Sequence, residues 1–222
     1  MIEWGNIRTI LFDLDGLMVD SEPHSLTSWR VVLAARKVDL EQAVIDRMFG
    51  LRHIEAAHML VSVYRLAEDP FALAREKEEY QIAHLQGQIA PMPGLRPLLE
   101  ELERRGLGRA VASSGTRRYV GAVLRAIGVT DCFQARVCGD EVARGKPAPD
   151  IFLAAARALG SDSRYCLVLE DAPTGIQAAK AAGMWCVVVP NSYTRSLDLS
   201  GADLVVPSLD AIRDELTNLR EQ

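Results

Sequence analysis

The apolar positions along the chain change rhythm several times, and the changes divide it into elements. IRTILFD (7–13) is a short β-branched apolar run without clean alternation, the pattern of a strand covered on both faces. Runs of the same kind recur at GRAVASS (108–114), FQARVCGD (133–140), CLVLED (166–171) and WCVVVP (185–190), and ADLVVPS (202–208) is a weaker candidate for an edge strand. Between these runs the period lengthens to that of a helix. Leu95, Leu98, Leu99 and Leu102 form one apolar stripe, closed by Arg104, Arg105 and Gly106. Val120, Val123, Leu124 and Ile127 form another, which stops at Gly128. Asp150 reads as the N-cap of a helix carrying Phe152, Ala155 and Leu159 and ending at Gly160, and a further helix runs from about Pro173 to Ala182 before Gly183. Strands alternating with helices of this length predict an α/β fold, a doubly wound parallel sheet of the Rossmann-like kind.

One stretch breaks the alternation. From Asp20 to Gln88 only helical patterns occur, for example Ile54, Ala57, Val61 and Tyr64, and the prolines and glycine of PMPG (91–94) read as a hinge or linker on the way back. The expected organisation is an α/β catalytic core of residues 1–19 and 90–222. An all-helical insert, residues 20–89, would form a mobile cap over the sheet's first loop. The charge run REKEEY (75–80) inside the insert reads as a solvated helix face. His58 and His84 fall within helix patterns and read as structural.

Composition narrows the choice of function. A chain of 222 residues can bury a real core, and its 49% apolar content is ordinary for a globular protein. No segment approaches the roughly 20 apolar residues that a membrane helix needs, so no membrane partner is expected. The start, MIEWGNIRTI, has neither a basic region nor an apolar stretch of the signal-peptide kind. A net charge of −5 gives no electrostatic footprint for nucleic acid. A small anionic substrate must then be drawn in by local positive groups or a metal. Cys132, Cys138, Cys166 and Cys186 contain no CxxC pair and read as reduced thiols of a cytoplasmic protein, which argues against zinc.

The chemistry is concentrated at strand ends. In a doubly wound sheet, ligands bind beyond the carboxyl ends of the strands. The first strand ends in Asp13, with Asp15 just beyond it, in FDLDGLMVDSE. The second ends in Ser113-Ser114-Gly115, the fourth in Glu170-Asp171, and the loop after the third contains GKPAPD with Lys146. Each residue alone has a plain structural reading: Asp13 as a turn residue, Lys146 as a solvated loop residue, Ser113 or Thr116 as a helix cap. Together they place four acids, a cation and a hydroxyl on one edge. Several carboxylates that close repel one another unless one is protonated or a cation is present. An all-oxygen ligand set without His or Cys favours a hard ion, and Mg²⁺ is the expected one because it pairs with phosphate. Metal, lysine and backbone amides describe a phosphoryl pocket. One of the two aspartates can then attack phosphorus while the other moves protons, and Gly16 allows the tight backbone this needs.

These four motifs, in order and across nearly the whole chain, resemble those of the haloacid dehalogenase superfamily. The likeness is to its phosphatase and β-phosphoglucomutase-like members with a helical cap. FDLDGLMVDSE resembles the first motif, VASSG the second, the lysine of GKPAPDIF the third and LEDAPTGIQAAKAAG the fourth. The resemblance implies that Asp13 is the nucleophile forming an aspartyl-phosphate and that Asp15 is the general acid/base, its backbone carbonyl also binding Mg²⁺. It implies that Ser113, with Ser114 and Gly115, binds the transferring phosphoryl group and that Lys146 offsets its charge. Asp171 is implied as a direct Mg²⁺ ligand and Glu170 as one acting through water. In the cap, Arg52 sits where relatives place a substrate-facing arginine, and His24 is a further candidate for substrate contact, as is His53. Capped relatives of this kind are often monomers, so a monomer acting on a small phosphorylated metabolite is expected.

Within such a family, Asp15 argues against a dehalogenase, which lacks the second aspartate, and against phosphonate-cleaving relatives, which carry a small residue there. A phosphatase and a sugar phosphomutase share the core acids. Mutases use a cap lysine and a cap histidine, whereas here Glu76 aligns with that lysine, next to Lys77, and His24 lies one position before the histidine. Both departures favour hydrolysis of sugar or polyol phosphates. A non-catalytic binding protein on the same scaffold would be expected to have lost a core acid, and none is missing.

Overall fold

The computed structural model describes residues 2–48 and 51–218. By its contacts the chain falls into two compact units, Met1–Asp20 with Ala90–Gln222, and Ser21–Ile89.

The first unit is built on six parallel strands, β1 (Thr9–Phe12), β2 (Gly108–Ser113), β3 (Ala135–Cys138), β4 (Cys166–Glu170), β5 (Trp185–Val188) and β6 (Leu204–Val205), in the order β3-β2-β1-β4-β5-β6. All six lie inside the predicted runs. β1 and β4 are buried along their whole length, because helices cover both faces of the sheet and neither face can be polar. On one face Leu11, Ala110, Ala112 and Val168 pack with Phe152, Ala155 and Ile176 from helices Asp150–Ala158 and Pro173–Ala181.

The second unit holds α1 (Glu22–Ala34), α2 (Gln42–Met48), α3 (His53–Tyr64) and α4 (Pro70–Ala83). They enclose their own core of Trp29, Val32, Leu33, Leu40, Val44, Ile45, Ala56, Ala57, Leu60 and Leu73. Of the stripe predicted on α3 only Ala57 is fully buried; the inward face is Ala56, Ala57 and Leu60, with Ile54, Val61 and Tyr64 at its margin. REKEEY needs a larger correction. Glu76 and Glu79 are exposed, but Lys77 is completely buried, so this run is not a solvated face throughout.

After the insert the first unit continues with α5 (Leu95–Arg104), α6 (Arg117–Ala126), α7 (Asp150–Ala158) and α8 (Pro173–Ala181). Asp150 is the first helical residue of α7 rather than its cap, and its carboxylate pairs with Arg144 at 2.8 Å. A last helix, α9 (Leu209–Asn218), was not anticipated. It buries Leu209, Ile212 and Leu216 and packs against α5. PMPG does not hang free: Pro91 bridges antiparallel to Val19, and the Met92 amide donates to the Met18 carbonyl at 2.8 Å.

Candidate active site

The strand order reverses between β1 and β4, the point where doubly wound sheets open a crevice beyond their carboxyl ends. Register brings the acids to that point. Phe12 pairs with Leu169, so Asp13 and Glu170 leave their strands side by side, and the Asp13 amide donates to the Leu169 carbonyl at 3.0 Å. Carboxylate oxygens of Asp13, Glu170 and Asp171 lie within 4.8 Å of one another, and all three residues are buried.

Lys146 enters this group from the loop after β3. Its Nζ donates to Asp13 Oδ1 and, at 2.6 Å, to Glu170 Oε1, with its side chain only 6% exposed. The other Glu170 oxygen accepts from the amides of Asp171 (3.0 Å) and Ala172 (3.3 Å), where α8 begins. A Cβ at Gly175 would stand 1.9 Å from that carboxylate, so α8 approaches Glu170 this closely only because residue 175 has no side chain. Gly16 has φ +86°, and a Cβ there would lie 2.3 Å from Asp171 Oδ2, which accounts for the glycine after Asp15.

Ser113 ends β2, buried, with its Oγ accepting from the Gly115 amide at 3.1 Å; Ser114 and Gly115 follow, half-buried. Asp15 is half-buried beyond β1, and its Oδ1 accepts from the Tyr119 hydroxyl at 2.7 Å. Asn191, in the turn after β5, donates through Nδ2 to Asp171 Oδ2 (2.8 Å) and to the Gly16 carbonyl (3.1 Å). Its Oδ1 accepts from the amides of Tyr193 (2.8 Å) and Thr194 (3.1 Å), so the side chain is fixed from both ends.

The charges do not balance within the cluster. Burial pushes the Asp13 carboxyl up to about 8; the Lys146 charge opposes this, and Glu170 and Asp15 add to it. Asp171 is raised well above the carboxylate range, first by burial and then by Glu170 and Asp13. Burial works against the Lys146 charge, but Asp13 and Glu170 outweigh it and hold the amine charged. Three buried carboxylates around one ammonium are short of positive charge, and the donor set is all oxygen. That fits a hard divalent cation held by Asp13 and Asp171, with Glu170 beside them.

The candidates in the helical unit sit differently. Arg52 is half-buried and directs Nε (2.9 Å) and Nη2 (2.7 Å) to Glu55 Oε1 at the start of α3. His24 is buried with Nε2 at 2.9 Å from the Gln81 carbonyl, so it ties α1 to α4 instead of offering that nitrogen to a substrate. Lys77 Nζ contacts Gln81 Oε1 (2.5 Å), Ser25 Oγ (2.9 Å) and His53 Nε2 (3.2 Å). Burial, then the Lys77 charge, keeps the His53 imidazole neutral far below its usual range. Glu76, aligned by sequence with the mutase lysine, is instead paired with Arg36 at 2.7 Å. The lysine in the interior is Lys77, and it meets Ser25, the residue following His24.

Sequence reasoning missed Asn191, Tyr119 and Gly175. Asn191 follows β5, and the strand-end rule covers it once that strand is included with the others. A glycine inside α8, where it costs about 1 kcal/mol relative to alanine, was a signal for Gly175.

A family model for haloacid dehalogenase-like hydrolases matches residues 7–183. The chain is 34% identical over 180 residues to the fructose-1-phosphate phosphatase YqaB of Escherichia coli (strain K12), covering 81% of this chain and 95% of that protein. It is 30% identical over 219 residues to the β-phosphoglucomutase of Bacillus subtilis (strain 168), covering 95% and 93%. The crystal structure of CbbY from Rhodobacter sphaeroides in complex with phosphate superposes with a TM-score of 0.85 at 30% identity, covering 91% of this chain and 95% of that one. With the family model spanning most of its length and the four motifs gathered at the switch point of the sheet, the chain belongs to the haloacid dehalogenase-like hydrolases.

Proposed function

We infer that this protein is a phosphoric monoester hydrolase acting on small phosphorylated metabolites, sugar or polyol phosphates, with Asp13 as nucleophile and Mg²⁺ as cofactor. The observation that carries this reading is the buried group of Asp13, Lys146, Glu170 and Asp171 at the carboxyl ends of β1 and β4, with Asp15 two residues beyond the nucleophile.

In the first half-reaction an Asp13 oxygen bonds to phosphorus, the ester P–O bond breaks, and a proton held by Asp15 passes to the leaving oxygen, which departs as an alcohol. In the second, water bonds to phosphorus and gives its proton to the Asp15 carboxylate. The P–O bond to Asp13 breaks, and inorganic phosphate leaves. Ser113 and the amides after it bind the phosphoryl oxygens, and Lys146 offsets charge on them and on Asp13. Asp13, the Asp15 carbonyl and Asp171 would hold Mg²⁺, with Glu170 acting through water. The ion, when bound, supplies the positive charge that the carboxylates and phosphoryl group call for. Arg52 is assigned to substrate selection on its resemblance to arginines of related caps.

One observation favours a second reading, a sugar phosphomutase. The interior lysine such an enzyme needs is present as Lys77. Ser25 stands where the mutase histidine would align, and the histidine near that lysine, His53 at 3.2 Å, comes from the start of α3 instead, so hydrolysis remains the preferred reading.

The test is phosphate release from a panel of sugar, polyol and nucleotide monophosphates with Mg²⁺, including β-glucose 1-phosphate coupled to detection of glucose 6-phosphate. Free phosphate from a subset is expected, lost with EDTA, regained with Mg²⁺ and abolished by Asp13→Asn. Glucose 6-phosphate without phosphate release would mean a mutase, and activity in the Asp13→Asn chain would remove Asp13 as nucleophile.

A further inference from the structure

Tyr119 lies in the first turn of α6 and is 1% exposed. Two features aim it. Its amide donates to Oγ1 of the cap residue Thr116 at 3.2 Å, which sets the start of the helix. Its ring then passes over Gly115: a Cβ built there would stand 2.8 Å from ring Cδ1 and 3.4 Å from Cε1, so any side chain at 115 would displace the ring. The ring is thus threaded past the end of β2, and its hydroxyl arrives at Asp15, donating to Oδ1 at 2.7 Å.

A buried phenol needs a partner for its hydroxyl, and a backbone carbonyl would satisfy it. Here the partner is a carboxylate from a segment 104 residues away in sequence. An O–H donor to a carboxylate makes a strong, directional bond and fixes the plane of the carboxyl group. That plane decides where a carboxyl proton can be delivered.

We propose that Tyr119 is the positioning residue for proton transfer by Asp15. It donates to Oδ1 and turns Oδ2 toward the scissile ester oxygen. That oxygen takes the proton as the P–O bond breaks, and Oδ2 later accepts one from the attacking water. The phenol keeps its own proton throughout. The proposal rests on the reading of Asp15 as acid and base, and it extends that reading to a residue outside the four motifs.

Positioning of an acid has a signature that packing lacks: its value depends on how much the leaving oxygen needs a proton. The oxygen of a sugar or polyol needs one, whereas p-nitrophenolate leaves without it. The experiment compares Tyr119→Phe with the unaltered chain, with Mg²⁺ present, on the sugar or polyol phosphate turned over fastest and on p-nitrophenyl phosphate. For a hydrogen bond to a charged group, single-turnover release of the alcohol from the alkyl ester, the step that precedes attack by water, should slow about 10-fold or more, with less than about a twofold change in release of p-nitrophenolate. In an Asp15→Asn background, Tyr119→Phe should cost nothing further on the aryl ester. Equal losses on both esters, no loss on either, or a further loss in the Asp15→Asn background would overturn the proposal alone. An unaltered chain that releases phosphate from neither ester would remove the functional reading and the proposal with it.

Discussion

In the sheet unit Lys146 reaches between Asp13 and Glu170; in the helical unit Lys77 reaches a hydroxyl, an amide oxygen and an imidazole, with the Trp29 ring centroid 5.4 Å from its Nζ. Both amines are removed from water, and a buried ammonium is tolerable only when its surroundings return what hydration gave. Lys146 receives this from opposite charge, in a cluster that still carries surplus carboxylate. Lys77 has a hydroxyl, an amide oxygen and an imidazole among its partners, and the cluster adjusts by keeping His53 neutral. A lysine set among surplus carboxylates is what the proposed phosphoryl site requires. One held by Ser25, Gln81 and an imidazole fastens α1, α3 and α4 to one another.

The comparison can be broken by removing each amine in turn. Lys146→Met should lower phosphate release about 10²–10³-fold, the usual effect of deleting one charge-stabilising group, while the fold survives because Asp13 and Glu170 can take up protons. Comparable activity would separate Lys146 from the chemistry. Lys77→Met should instead show in stability, with about 1–3 kcal/mol lost in urea unfolding because polar partners are left buried and unmatched. A loss confined to turnover would make Lys77 part of the reacting site.

A pH experiment sharpens the sheet side. With Asp13 raised from 3.8 to about 8, the folded chain holds a proton that the unfolded chain has released across that interval. The Asp13 contribution to the stability of the metal-free protein should therefore decline as pH rises from about 4 to 8, against an opposite trend from His53, which the fold keeps neutral. Mg²⁺, by favouring the ionised carboxylate, should remove much of the decline. Unfolding midpoints of the unaltered and Asp13→Asn chains at pH 5 and pH 8 under EDTA measure it, and the same pH trend in both chains would contradict the assignment. The smallest effect belongs to Glu76→Ala. Its pair with Arg36 is half exposed, and the change should stay within about 0.5 kcal/mol, in contrast to its neighbour Lys77.

Much of the sheet unit is legible in the residues because two independent patterns coincide there. The apolar runs locate β1 to β6, and the polar residues that end those runs are the ones register gathers at the switch point. The helical unit is less transparent for a physical reason. The inward face of α4 is Leu73, Lys77 and Gln81, one residue per turn, and two of the three are polar. No search for apolar periodicity finds such a face, and the flanking glutamates make Lys77 look solvated. Tyr119 escaped because a tyrosine in an amphipathic helix is ordinarily core, and only the distance to Asp15 distinguishes it. Helix α9 was within reach, since Leu209, Ile212 and Leu216 repeat at helical spacing after Ser208.

The bridge between Val19 and Pro91 has a consequence for how the insert is attached. The sheet unit releases the chain at Asp20 and takes it back at Ala90 through two segments already joined by the Met92–Met18 hydrogen bond. Seen from the core, everything from 21 to 89 is a single appendix on a closed neck. The register of β1 against β2 and β4 involves no residue of that appendix. The core is a socket with one port, at which the chain leaves and returns through segments that are already joined.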